Sequence, residues 1–65
     1  MQVRTELVNG KWYIVRSRMV ETNYGPELSV TIDEENGPIV WESQEAMGVG
    51  GQIAMWKDSM LPEPV

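Results

Sequence analysis

A chain of 65 residues with ten acids, five bases, no cysteine and no histidine can form no disulfide and lacks the usual ligands of structural zinc sites. The length fits one small domain that buries about 60% of its unfolded surface, so stability has to come from packing, with self-association as the available supplement. A net charge of −5 disfavours broad binding to nucleic acid, because there is no surplus of bases to displace counterions.

Gln2 to Val8 alternates polar and apolar residues, Asn9-Gly10 follows, and a second strand-like run covers Lys11 to Val20. Asn-Gly between two such runs predicts a type I′ hairpin, since both central positions need positive φ. A two-residue loop there pairs Val8 with Lys11, Leu7 with Trp12, Thr5 with Ile14 and Val3 with Arg16. One face then holds Val3, Leu7, Trp12 and Ile14 and is expected to be the packed one. The other holds Arg4, Glu6, Lys11, Tyr13 and Val15. Arg16 and Arg18 fall in phase with Trp12 and Ile14, which is unusual for a packed face.

Glu21 to Glu27 is expected as a loop punctuated by Gly25-Pro26. Leu28, Val30 and Ile32 then alternate along a third strand, and Asp33 to Pro38 contains a second Asn-Gly, Asn36-Gly37. A loop at that dipeptide pairs Ile32 with Trp41 and Thr31 with Glu42, which adds Ile39 and Trp41 to the apolar face. After Trp41 the period lengthens. Ala46, Val49, Ile53, Trp56 and Met60 recur at the spacing of an amphipathic helix, with Ser43 as N-cap, Glu45 in the first turn and Leu61-Pro62 as the stop. Gly48-Val49-Gly50-Gly51 weakens the helix start, each glycine costing about 1 kcal/mol relative to alanine. The expected fold is α+β: an antiparallel sheet of three to four strands built from two Asn-Gly hairpins, with one C-terminal helix packed on one face. Residues 1–61 form the domain and 62–65 a flexible tail.

Charge is unevenly distributed along this chain. Up to residue 20, Arg4, Lys11, Arg16 and Arg18 stand against Glu6; from residue 21 onward, Lys57 stands against nine acids. Glu27, Asp33, Glu34, Glu35, Glu42 and Glu45 are the candidate partner-binding residues. Spaced carboxylates imitate a run of phosphates and attract a basic protein surface, raising both encounter rate and affinity. The bland alternative is a solvated acidic face that keeps a small domain dispersed.

Other motifs carry less. Asp33 to Gly37 supplies oxygen ligands but not the alternating pattern of a calcium loop. Gly48-Val49-Gly50 has G-x-G spacing without the strand–turn–helix setting of a phosphate loop. Trp12, Tyr13, Arg16 and Arg18 have the elements of a base-stacking hairpin, with Trp12 assigned to the packed face and Tyr13 left as the exposed ring. No acid–base or nucleophilic constellation is recognisable, and no catalytic residue, cofactor or metal is expected.

The longest unbroken apolar run, Trp12 to Val15, is far short of a membrane span, and no leader is visible, so a cytoplasmic location without membrane contact is expected. The expected function is that of a small non-enzymatic binding protein, a monomer or small homo-oligomer. It would dock onto a larger basic protein, such as a nucleic-acid-binding effector complex, and inhibit it. Anti-CRISPR proteins and other phage-encoded nucleic-acid mimics share this pattern of size and charge. A weak single-stranded nucleic-acid binder, or a structural module of a virion, is the competing expectation.

Overall fold

The computed structural model describes residues 1–35 and 37–60. Four strands, β1 (Gln2–Val8), β2 (Lys11–Thr22), β3 (Gly25–Glu34) and β4 (Ile39–Glu45), form one antiparallel sheet in the order β1-β2-β3-β4. The helix α1 (Val49–Ser59) follows and packs against one face. The result is a slab 17 Å across its shortest dimension, an α+β fold with one sheet face covered and the other open.

The first hairpin forms in the expected register, with Val8 opposite Lys11, Leu7 opposite Trp12 and Thr5 opposite Ile14. Asn9 (φ 52°) and Gly10 (φ 77°) supply the two positive φ angles of the turn. A Cβ added at Gly10 would meet nothing within 4 Å, so only backbone strain opposes a side chain there. Gly10→Val is therefore expected to cost about 1–2 kcal/mol, read as a lower urea midpoint with an unchanged slope.

The buried face of this hairpin is the opposite of the expected one. Tyr13, Val15 and Ser17 are buried, whereas Val3, Leu7 and Trp12 are exposed. The register between β2 and β3 decides this. A tight turn at Asn23-Tyr24, where Thr22 Oγ1 accepts from the Tyr24 N–H (3.1 Å) and donates to the Gly25 carbonyl (2.7 Å), pairs Thr22 with Gly25. Val15 then faces Ile32 and Ser17 faces Val30, so the apolar residues of β3 lie in phase with Tyr13 and Val15. Glu21 to Glu27 is thus mostly strand. Pro26 sits opposite Glu21, where β3 has already run past the end of β4 at Leu28–Glu45, so its missing N–H breaks no ladder.

The β3–β4 register agrees with expectation at Ile32–Trp41 and Thr31–Glu42 and then shifts. The Glu34 N–H donates to the Pro38 carbonyl (3.2 Å) and Asp33 pairs with Ile39, a bulge that places Ile39 on the open face, 54% exposed, and not with the core. Asn36 lies outside the described residues, as does the expected helix stop and tail at residues 61–65.

Ser43 and Glu45 lie within β4, and α1 begins at Val49 with Gly48 as an N-cap that offers no side-chain bond. Ala46 is exposed, but the remainder of the expected stripe holds: Ile53 and Trp56 are buried, and Val49 and Met60 pack beside them. The core is Tyr13, Val15, Val30, Ile32, Ile53 and Trp56, with the Tyr13 and Trp56 rings edge to face at 4.8 Å. Gln52 has no solvent exposure. Its Oε1 accepts from Ser43 Oγ, and its Nε2 donates to the carbonyls of Leu28 (2.9 Å) and Met47 (3.1 Å). The helix is thereby pinned to β3, β4 and the connecting segment.

Candidate docking surface

The sheet order turns the uneven charge of the sequence into a spatial gradient. Glu27, Asp33, Glu34, Glu35, Glu42 and Glu45 all belong to β3, β4 and the turn joining them, and no base lies between Arg18 and Lys57. Four of the five bases sit on β1 and β2. One side of the slab is acidic and the other mildly basic.

The six acids do not share one face. Alternation along the strands puts Glu27, Asp33 and Glu42 on the open face, Glu34 and Glu45 on the helix side, and Glu35 in the turn. Their partners divide them further. Asp33 is ion-paired with Arg16 across the strands, and Glu34 with Lys11 at 3.2 Å. Glu27 accepts a hydrogen bond from Gln44 at 2.8 Å. Glu35, Glu42 and Glu45 have no cationic partner among the described residues and are exposed. No group of three or more acids among the described residues is arranged to hold a metal ion.

On the open face, Leu7 and Trp12 form an apolar pair next to the first turn, Trp12 being 51% exposed, and Val3 lies opposite Arg16 toward the other end of the hairpin. Beside them Arg16 and Arg18 project from β2 among Ser29, Thr31 and Asp33, lining a shallow depression of about 240 Å³. A second depression of about 330 Å³ is lined by Thr5, Trp12, Tyr13, Ile14 and Glu35. The first is below, and the second at the low end of, the about 300–1,000 Å³ usual for a ligand pocket. Arg18 has no carboxylate partner among the described residues. Asp33 Oδ1 is buried without a hydrogen-bond partner among the described residues, so the carboxylate retains acceptor capacity beside Arg16.

Sequence alternation found the open face and misassigned it as the packed one. Arg16 and Arg18 in phase with Trp12 were the signal. Two guanidinium groups at alternate positions of a central strand belong on a face that water or a partner reaches.

These features define a one-sided α+β sheet module with an acidic hairpin at one side and a mixed apolar and cationic open face. No family model, no curated protein and no solved structure matches the chain. No helix among the described residues is long and apolar enough to cross a membrane.

Proposed function

We propose that this chain is a small non-enzymatic binding protein that docks through its acidic β3–β4 side onto a larger basic protein, one that itself binds nucleic acid, and inhibits it by occupying the nucleic-acid groove. The observation that carries the reading is the segregation of six acids onto one hairpin without a base among them, four having no cationic partner among the described residues and three of those four exposed. Carboxylates on both faces and in the turn present charge around a projecting edge, a shape suited to a groove that accepts a phosphate backbone. The size and charge match the strategy of phage-encoded anti-defence proteins, anti-CRISPR inhibitors included, working in the cytoplasm.

The test is capture from a host lysate at low and high salt, with wild type and the E35Q/E42Q/E45Q variant side by side. The expected catch is a basic protein that high salt releases, that added DNA or RNA displaces, and that the variant binds about tenfold more weakly. A catch that nucleic acid fails to displace, or that the variant retains fully, overturns the reading.

One observation favours a second reading, weak binding of single-stranded nucleic acid. Trp12 is exposed on the same face as Arg16 and Arg18, an arrangement able to stack a base beside a phosphate contact. Arg4 lies on the other face, paired with Glu6 at 3.3 Å, and Tyr13 is buried. This reading predicts salt-dependent binding of an oligonucleotide that Trp12→Ala and Arg18→Ala abolish. Its failure leaves the acidic docking reading intact.

A further inference from the structure

We infer that two copies of this chain pair antiparallel through their β1 edges, about a twofold axis at Thr5, to form one continuous sheet. This inference does not rest on the proposed function.

β1 and β4 are the two edge strands of the sheet among the described residues. In a hairpin closed by a two-residue type I′ loop, the residues flanking the loop form a hydrogen-bonded pair. With Val8 and Lys11 in that role, Gln2, Arg4, Glu6 and Val8 direct their backbone groups toward β2, and Val3, Thr5 and Leu7 direct theirs outward. The outward groups can be satisfied by a second β1 running the opposite way.

The side chains select the register. Centred on Thr5, Val3 lies opposite the partner's Leu7, and Arg4 lies opposite the partner's Glu6. Arg4 and Glu6 then occupy the non-hydrogen-bonded positions, where facing side chains approach most closely. Sliding by two residues, the smallest step that keeps the outward groups paired, brings Arg4 against the partner's Arg4 in one direction and Glu6 against the partner's Glu6 in the other. Both neighbouring registers set like charges directly opposite each other, which destabilises a strand pair. The Thr5-centred register is thus favoured by attraction and protected by repulsion.

The other edge has no such complementarity. β4 carries Glu42 and Glu45 with no base, and its start is interrupted by the bulge near Val40, two features that discourage edge pairing. β1 has neither device. A twofold axis normal to the sheet places both helices on one side and both open faces on the other. Val3 (60% exposed) and Leu7 (55% exposed) of each copy, with Trp12 beside them, then form one apolar patch across the axis. Edge pairing by one short strand buries less than the roughly 800 Å² per partner of a standard interface, so a concentration-dependent dimer is expected.

Analytical ultracentrifugation from micromolar to millimolar protein tests this. The wild-type mass should rise from 7.4 kDa toward its double and stop there. Arg4→Glu should weaken association about tenfold or more by setting like charges opposite at both symmetric positions, and the R4E/E6R double variant should restore it. Thr5→Pro removes an outward N–H and leaves the β1–β2 ladder intact, so it should give a monomer with an unchanged circular dichroism spectrum. A wild-type monomer throughout the range, assembly beyond a dimer, association indifferent to T5P, or a folded double variant that stays dissociated would each overturn the inference.

Discussion

Trp56→Ala is expected to leave most molecules unfolded at 25 °C. Trp56 is 1% exposed and meets Tyr13 edge to face at 4.8 Å, so it joins α1 to the centre of β2. Removing a buried tryptophan costs about 3–5 kcal/mol in transfer and cavity terms together. A domain of this size has a total stability of roughly 3–10 kcal/mol, toward the lower part when only one sheet face is covered. The loss therefore equals or exceeds what is present in the lower part of that range, where a sheet covered on one face belongs. The helix has few other anchors, since only Gln52 and Ile53 share its complete burial and Val49 and Met60 are partly covered. Far-UV circular dichroism against urea should show no folded baseline for W56A, and Trp56→Phe should recover a cooperative transition. Trp12→Ala is the informative control. With Trp12 51% exposed on the uncovered face, its loss should change stability by less than about 1 kcal/mol. Equal costs at the two tryptophans would mean that the packed face is wrongly identified.

That contrast marks what was legible in the sequence and what was not. The first hairpin could be placed from Asn-Gly and alternation because a type I′ loop fixes register locally, and Leu7–Trp12 forms as expected. Ile32–Trp41 also pairs as expected, with the bulge at Asp33–Ile39 between it and the second loop. The packed side could not be read from the first hairpin alone. β2 has apolar residues on both faces, and edge strand β1, with Val3 and Leu7 against Arg4 and Glu6, tips the count the wrong way. The central pair β2–β3 decides, through the turn at Asn23-Tyr24, where no Gly or Asn-Gly signal sits at both central positions and Gly25-Pro26 draws attention one step too far along. The bulge that turns Ile39 outward was also hidden, because it depends on how Glu34 and Pro38 close the loop. The helix start was displaced for a different reason. Ser43 has the chemistry of an N-cap, but its hydroxyl bonds to Gln52 from within β4, a tertiary use that local pattern does not show. The segregation of acids to one side needed only the sheet order to become spatial, but their division between the two faces and the pairing of Asp33 and Glu34 with bases depended on the β2–β3 register.

Gln52 is the residue whose importance lay furthest from view, and its substitution is expected to separate polar pinning from apolar packing. Gln52→Leu keeps the volume and adds apolar contact, yet it leaves the carbonyls of Leu28 and Met47 and the hydroxyl of Ser43 without this partner. Each buried group so orphaned costs about 1–3 kcal/mol, offset in part by the better transfer of leucine, so a net loss of about 2–4 kcal/mol is expected. Gln52→Glu should be worse at neutral pH and better in acid. The introduced carboxyl can still accept from Ser43, but in place of the amide donor it turns an oxygen toward two carbonyls, in a site without solvent exposure. Burial and the facing carbonyls disfavour its charged form, so its folded pKa lies above the unfolded value of about 4.3. Linkage then fixes the sign: the variant is most stable below the unfolded value and loses stability as pH rises through the folded one. The chain has no histidine, which removes the ordinary source of stability change between about pH 6 and 8 and makes this slope readable against wild type. If Q52L matched wild type in urea and Q52E showed no pH slope, water would have to reach both carbonyls, and the helix would be held by apolar packing alone.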